Sequence, residues 1–283
     1  MRPESYIASS GINNSALKRF RQHGKNVFPT IDPSYEMQCG HAFEAYLRGD
    51  FSDDFFVADI DSAWPSSLDA KAVLAGKLPA KRMCKPDKGG NQKPNKKYAN
   101  FHRWRSACEE NAGRFPISQC DYSKILDCSE SLLKVRISNT FCIGDVIEFA
   151  EWSKEVYWDD VLGRPKKALF DMSFFSEGIL YICDVKFYAS FANFRSWLRD
   201  GGWIQQIHYT EAGMAEYGLD EEQVRFVFLV ASKADRLTHL LEIERPYSHM
   251  WDAYRELVDE YADWKKAGSP IDGWGQESVR IWT

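Results

Sequence analysis

Two apolar segments joined by a short polar turn give the strongest structural signal in the chain. Residues 166–175 (KKALFDMSFF) and 179–187 (ILYICDVKF) are rich in aromatic and aliphatic side chains, and a Ser-Glu-Gly sequence at 176–178 separates them. Runs of this length bounded by turn residues predict a β-hairpin. The apolar run at 223–231 predicts a further buried strand, and the segment 238–243 can pair with it.

Helical periodicity accounts for most of the remaining pattern. It predicts helices over residues 12–23, 34–48, 97–112, 118–138, 190–199, 203–217 and about 246–266. Shorter strand signals lie at 55–60 and within 145–158. Strands mixed with covering helices favour an α/β (α+β) fold with a mixed central sheet flanked by helices, and we expect a single domain over residues 1–283.

Composition excludes several classes of protein. The chain has 283 residues, of which 44% are hydrophobic and 27% charged, as in folded globular proteins and unlike disordered chains. It contains no run of about 18 apolar residues, so no membrane span is expected, and its first residues lack the apolar core of a secretory signal. Its seven cysteines contain no CxxC pair, which indicates reduced thiols and therefore a cytoplasmic protein.

Charge is distributed unevenly along the chain. The net charge is −5, yet the segment 71–105 contains eleven basic residues and a single acidic one. Blocks of like charge often bind polyanions, so we interpret 71–105, the basic segment, as an arm that contacts DNA phosphates together with the helix at 12–23. A solvated insertion that offsets an acidic body is the alternative. The residues expected to contact DNA are Lys81, Arg82, Lys85, Lys88, Lys93, Lys96 and Lys97.

Two carboxylates and a lysine fall on one face of the predicted hairpin. Side chains alternate along a strand, so Asp184 and Lys186 share a face. If the turn consists of Glu177 and Gly178, the numbers of paired residues sum to 355, and Asp171 lies directly opposite Asp184. The Cβ atoms of such a pair are about 5 Å apart.

This arrangement suits a divalent metal ion. Two adjacent carboxylates repel each other and raise each other's pKa, and a hard cation such as Mg²⁺ removes that penalty because it prefers oxygen ligands. A neighbouring lysine can position or deprotonate water, or stabilise charge on a phosphate, during phosphodiester hydrolysis. A cross-strand cluster of surface charges is the alternative, although charges on a sheet that is apolar on both faces need a specific reason.

Two predicted helices carry polar pairs that can join such a site. Gln205 and Tyr209 are four residues apart and share one helix face. His41 and Glu44 are three residues apart and share a face of an earlier helix. Each pair is equally compatible with ordinary polar residues on a helix surface.

Taken in order, these features resemble the PD-(D/E)XK nuclease superfamily in its RecB-like branch, and more narrowly the RecE-type (exonuclease VIII-like) exonucleases of phages and prophages. The family order is a helix with G-x-A-x-(H/E), a Lys/Arg-rich insertion, an acidic and aromatic stretch, Asp, Asp-x-Lys and Gln-x-x-x-Tyr. The matching residues, which span about 35–245, are Gly40-His41-Ala42-Phe43-Glu44, the basic segment, Glu109-Glu110-Asn111-Ala112-Gly113, Glu155-Val156-Tyr157-Trp158, Asp171, Asp184-Val185-Lys186, Gln205 and Tyr209.

The resemblance implies a set of metal ligands. Asp171, Asp184 and the main-chain carbonyl of Val185 would hold the ion. Glu44 takes the helix position that is His in many relatives, and His41 is the alternative ligand there.

The resemblance also implies catalytic roles. Lys186 would be the catalytic lysine, and Gln205 and Tyr209 would orient the lysine, the water or the cleaved strand. Gln206 is the alternative for the glutamine position. Phe187 departs from the family, in which a threonine usually follows the lysine.

The implied activity is that of a Mg²⁺-dependent, ATP-independent 5′→3′ exonuclease that acts on double-stranded DNA ends in recombination, with Mn²⁺ able to replace Mg²⁺. The implied partners are a single-strand annealing recombinase of the RecT type and further copies of the chain, for which a ring is one form known in the family. The implied setting is the cytoplasm of a bacterial host, with the gene carried by a phage or prophage. An iron–sulfur cluster is not expected, because no cysteine follows Cys183, and no P-loop for ATP is present.

Two alternatives remain open at this point. A PD-(D/E)XK endonuclease or a single-strand exonuclease would use the same residues on a different substrate. A non-catalytic DNA-binding or assembly protein would keep the fold without the chemistry, and the joint presence of Asp171, Asp184 and Lys186 argues against it.

Overall fold

The computed structural model describes residues 9–23, 35–59, 84–86, 92–94, 107–137, 141–242, 246 and 248–268. The chain forms two compact units, one made of residues 32–131 with Met1, the other of residues 2–31 and 132–283. The fold is α/β, with a five-stranded mixed sheet flanked by helices. No helix within the described ranges is both long and apolar enough to cross a membrane.

In its described part, the first unit combines helices with two small strand pairs. Its elements are α2 (Tyr35–Arg48), α3 (Phe51–Asp54), β1 (Phe55–Ala58), β2 (Cys84–Pro86), β3 (Gln92–Pro94), β4 (Phe115–Ser118) and α4 (Gln119–Leu133), whose last two residues belong to the second unit. Strands β1 and β4 pair in parallel, and β2 and β3 pair antiparallel. The helix predicted at 97–112 is helical over 107–110 within the described part, and turns follow there.

Among the residues that the structure describes, the second unit contains the sheet and five α-helices. Its strands are β5 (Glu151–Asp159), β6 (Pro165–Ser176), β7 (Ile179–Tyr188), β8 (Val224–Ser232) and β9 (Leu237–Glu242). They are hydrogen-bonded in the order β5-β6-β7-β8-β9, with β7 and β8 parallel and the other pairs antiparallel. Its helices are α1 (Asn14–His23), α5 (Ile143–Val146), α6 (Phe191–Trp197), α7 (Trp203–Tyr217) and α8 (Ser248–Lys266).

The β6–β7 hairpin has the predicted register. The five backbone pairs from Ser176–Ile179 to Met172–Cys183 all sum to 355. Glu177 and Gly178 have positive φ values of 53° and 77°, as a two-residue type I′ turn requires. The hairpin and its turn are therefore confirmed.

Helix α7 lies between the sheet and two other helices. Its side facing the sheet packs Tyr209 and Ala212 into a core with strand residues such as Phe170 and Phe226. Its other side places Ile204 and Ile207 in a second core with residues of α1 and α8. Gly213 permits the approach to the sheet, because a Cβ atom there would lie 2.9 Å from both Ile182 Cδ1 and Leu180 Cδ2.

Two predicted helix ends differ from the structure. The first turn of α1 is capped by Asn13, whose Oδ1 accepts a hydrogen bond from the Ala16 backbone N at 2.9 Å, so the helix begins at Asn14 and not at residue 12. The helix predicted at 190–199 ends at Trp197, and a π-helical turn over Leu198–Gly202 follows, with φ of 123° at Gly201. The side-chain cap at Asn13 accounts for the later start of α1, and a glycine with positive φ accompanies the π-helical turn after Trp197.

A buried histidine ties α7 to its neighbours. His208 Nδ1 lies 2.7 Å from the Tyr254 hydroxyl on α8, and His208 Nε2 lies 3.0 Å from the Lys167 carbonyl oxygen on β6. Burial is the main cause that lowers the pKa of His208 to about 3. The imidazole is therefore neutral at ordinary pH and acts as a structural link between three elements.

We expect acid to destabilise the protein through His208. Its pKa is depressed on folding, so the stabilisation is complete above about 6.5 and is lost as pH falls toward 3. At pH 5 we expect the unfolding free energy to be about 2 kcal/mol lower than at neutral pH, and urea titrations at the two pH values measure this difference. His208→Gln, which keeps one donor and one acceptor, should remove this pH dependence, and His249→Gln at an exposed site should not. Equal pH dependence in both variants would contradict the assignment.

Candidate active site

The β6–β7 hairpin brings Asp171 and Asp184 together at the point where its backbone ladder stops. The last paired residues are Met172 and Cys183, which lie one position closer to the turn than the two aspartates. Asp171 Oδ2 instead accepts a hydrogen bond from the Val185 backbone N at 2.9 Å. Asp171 and Asp184 therefore do not form the backbone pair that the register predicts. A hydrogen bond between the Asp171 side chain and the Val185 backbone takes its place.

The backbone is also irregular on the other side of Asp171. The β5–β6 pairing contains Trp152–Met172 and Lys154–Phe170, and Ser153 and Asp171 between them are not paired. Ser153 has a φ of 54°, which is uncommon for a residue with a side chain. Strand irregularities of this kind often redirect a side chain near a functional site.

Three oxygen atoms surround the Lys186 ammonium. Asp171 Oδ2 lies 3.7 Å from Lys186 Nζ, the Val185 carbonyl oxygen lies 3.4 Å from it, and Asp184 Oδ2 forms a closer ion pair. All three oxygens come from one hairpin. We call this group of three oxygens and the ammonium the oxygen cluster.

Asp184 is the most deeply buried member of the oxygen cluster. Asp184 is 1% exposed, and this burial is the main cause that raises its pKa. The charge of Lys186 lowers the pKa, and the charge of Asp171 raises it further. The Asp184 Oδ2 atom contacts Lys186 as an ion pair but accepts no hydrogen bond of good geometry from the described residues. A buried carboxylate oxygen in this state favours a cation close to it.

Gln205 on α7 reaches the oxygen cluster. Its Nε2 donates to Asp184 Oδ1, and its Oε1 accepts from Lys18 Nζ at 3.2 Å. This geometry favours Gln205 over Gln206 for the predicted glutamine position. Lys18 was not singled out from the sequence; its only signal was its place in a short basic helix.

Tyr209, one turn after Gln205 on α7, lies in the apolar core between the helix and the sheet. Its ring packs against Phe170 and Phe226, with centroids 5.4 Å and 5.7 Å away. Its predicted role in orienting the lysine, the water or the DNA strand stays a prediction.

The predicted helix ligand belongs to the first unit. His41 and Glu44 are half-buried on α2 of that unit. Lys85 and Lys93 are direct partners in the β2–β3 pair. The other DNA-binding candidates, Lys81, Arg82, Lys88, Lys96 and Lys97, lie outside the described residues. The metal-binding role of Glu44 and the DNA-binding role of the basic segment stay predictions.

The three oxygens of the oxygen cluster are suitable ligands for a hard divalent cation. Two carboxylates and one carbonyl are ligand types that Mg²⁺ accepts, with water and substrate completing its coordination. Across the described ranges, no group of three or more His, Cys, Asp or Glu side chains is arranged to hold a metal. A metal at this hairpin would therefore depend on the backbone carbonyl of Val185 as well as on the two aspartates.

Comparison with known proteins gives distant structural likenesses. No protein-family model matches the chain, and no curated protein matches it. A crystal structure from Eubacterium rectale of a protein named "Putative exonuclease" shares 10% identity with a TM-score of 0.44, over 94% of this chain and 85% of that one. The structure of SSO0001 shares 16% identity with a TM-score of 0.32, over 57% and 69% of the two chains.

Proposed function

We propose that the protein is a divalent-metal-dependent deoxyribonuclease. The observation that carries the proposal is the oxygen cluster, in which two aspartates and a main-chain carbonyl surround one lysine ammonium. A buried ion pair between a carboxylate and a lysine adds little to the stability of the fold. A carboxylate whose pKa is raised in this way is typical of catalytic sites. The ordered motifs that resemble RecE-type exonucleases support the choice of DNA as substrate.

Each residue has a distinct task in this proposal. Asp171, Asp184 and the Val185 carbonyl would hold Mg²⁺, which would supply Lewis-acid polarisation of the phosphate. Lys186 lies next to these oxygens, where its ammonium can position the attacking water or balance charge that develops on the phosphate. Gln205 keeps Asp184 oriented through its Nε2 donor.

The finer proposal is a 5′→3′ exonuclease that acts on double-stranded DNA ends without ATP. Its product would be a 3′ single strand, which a single-strand annealing recombinase of the RecT type would consume. Contacts from the basic segment to the DNA backbone would add affinity that falls steeply with salt.

Digestion of linear duplex DNA labelled at either end, with and without Mg²⁺, tests the proposal. We expect Mg²⁺-dependent shortening from the 5′ ends and no loss of a closed circular duplex. Nicking of the circle would indicate an endonuclease, and preference for a single strand would indicate a single-strand exonuclease. DNA binding without cleavage under all metal conditions would leave only the non-catalytic alternative.

A further inference from the structure

A lysine from the start of the chain contacts the candidate site through Gln205. Lys18 Nζ donates to Gln205 Oε1 at 3.2 Å, across 187 positions of sequence. The same ammonium lies 4.6 Å from the centroid of the Trp197 ring, at the end of α6. The ammonium is therefore held by an amide oxygen and an aromatic face.

Packing fixes helix α1 next to the site helix. Leu17 and Phe20, which flank Lys18 in sequence, are buried with Ile204 and Ile207 of α7. Ile12 joins the strand β6 by two backbone bonds, from its N to the Pro165 oxygen and to its oxygen from the Lys167 N, both 2.9 Å. The backbone that carries Lys18 is thus anchored independently of the lysine itself.

The charges on both sides of Gln205 select one orientation of its amide. A glutamine amide has one acceptor oxygen and one donor nitrogen, and here the nitrogen faces the Asp184 carboxylate while the oxygen faces the Lys18 ammonium. Turning the amide over would place its oxygen against a carboxylate and its nitrogen against an ammonium. Both contacts would be repulsive, so Lys18 stabilises the orientation that supports Asp184.

We propose that Lys18 is a positioning residue that acts through Gln205 to hold the Asp184 carboxylate for metal binding. The proposal rests on the proposed function only in assigning Asp184 to a metal. Groups that orient a metal ligand without touching the ion commonly change affinity or activity about 10- to 100-fold when removed. Lys18 adds a further link to that chain of contacts, Lys18 to Gln205 to Asp184.

A double-mutant cycle on Lys18→Met and Gln205→Ala tests the chain of contacts. Methionine keeps the apolar length of the side chain against Trp197 and removes the charge. Two readouts are needed: the Mn²⁺ dissociation constant from calorimetry, and the side-chain amide NMR signal of Gln205 in metal-free protein, assigned by its loss in Gln205→Ala. Arg19→Ala removes a charge from the same helix and is the matched control.

We expect Lys18→Met to weaken Mn²⁺ binding about 10-fold, and Gln205→Ala to weaken it about 10- to 100-fold. The double variant should match Gln205→Ala to within about twofold, because both changes break the same chain of contacts. Lys18→Met should also shift the Gln205 amide signal. Lys18→Arg, which keeps a charged donor, should restore most of the affinity, and Arg19→Ala should leave both readouts unchanged.

Several results would overturn the inference. Independent effects that multiply in the double variant would mean that Lys18 acts without Gln205. An unmoved amide signal in Lys18→Met would mean that it does not set the amide, and tighter Mn²⁺ binding would mean that its charge only repels the metal. Wild-type protein that fails to cleave DNA would defeat the proposed function, whereas coupled shifts of the amide signal and Mn²⁺ affinity would still support the role of Lys18.

Discussion

Replacing Lys186 with methionine is expected to abolish DNA cleavage while leaving DNA binding nearly intact. The ammonium is the one group of the oxygen cluster that can donate to water or phosphate, since its neighbours Asp171, Asp184 and the Val185 carbonyl are acceptors. Loss of one such electrostatic group in an active site costs on the order of a thousandfold in rate. Single-turnover cleavage of linear duplex, together with equilibrium binding in Ca²⁺, measures the two effects separately.

Lys233 provides a matched control for Lys186. It follows strand β8, and its ammonium lies 4.9 Å from the centroid of the Phe187 ring. Phe187 points away from the face of Lys186, because successive residues of a strand alternate. Lys233→Met should therefore cleave DNA at close to the wild-type rate. If Lys186→Met lost binding and cleavage together, the lysine would be a DNA-binding residue and its catalytic role would be wrong.

The hairpin could be predicted from sequence because its determinants are local. Two residues, Glu177 and Gly178, adopt the positive φ values of the turn, and that turn sets the register of every pair that follows. The face shared by Asp184 and Lys186 then follows from strand alternation alone. The grouping of these side chains on one hairpin could therefore be predicted from a short-range sequence pattern.

The surroundings of the hairpin could not be predicted in the same way. The positive φ of Ser153 and the unpaired position at Asp171 depend on how β5 meets β6. The contact between Lys18 and Gln205 joins residues 187 positions apart and arises from the packing of α1 onto α7. Neither periodicity nor turn chemistry encodes contacts of that range, so only the folded chain reveals them.

His208 shows a related limit of sequence patterns. In the sequence it is one more polar residue between Gln205 and Tyr209, whereas in the structure it is fully buried and bonded to both β6 and α8. The helix α7 is covered on two sides, so burial there does not follow the usual one-sided stripe. A helix of this kind places polar residues in the interior wherever a partner satisfies them.

Replacing Asp184 with asparagine is expected to stabilise the metal-free protein while abolishing Mn²⁺ binding and cleavage. Burial raises the pKa of this carboxyl despite the attraction of Lys186, so its ionised form is unfavourable in the fold. Asparagine keeps the shape without the charge. Because a raised pKa means that the ionised carboxyl costs free energy in the fold, the gain in unfolding free energy at pH 8 in EDTA should be on the order of 1–2 kcal/mol, to be measured by urea titration.

The stability gained on Asp184→Asn should depend on pH. A carboxyl whose folded pKa is raised destabilises the fold at pH values above that pKa, and the destabilisation disappears as pH falls toward its ordinary value of 3.8. Wild type and Asp184→Asn should therefore differ most at pH 8 and converge toward acid, while Asp263→Asn, at an exposed carboxylate on α8, should match wild type throughout. A destabilised Asp184→Asn at pH 8 would show that the ion pair with Lys186 outweighs the cost of burial. The oxygen cluster would then be a structural ion pair, because a site kept for metal binding should instead lower stability in the metal-free protein.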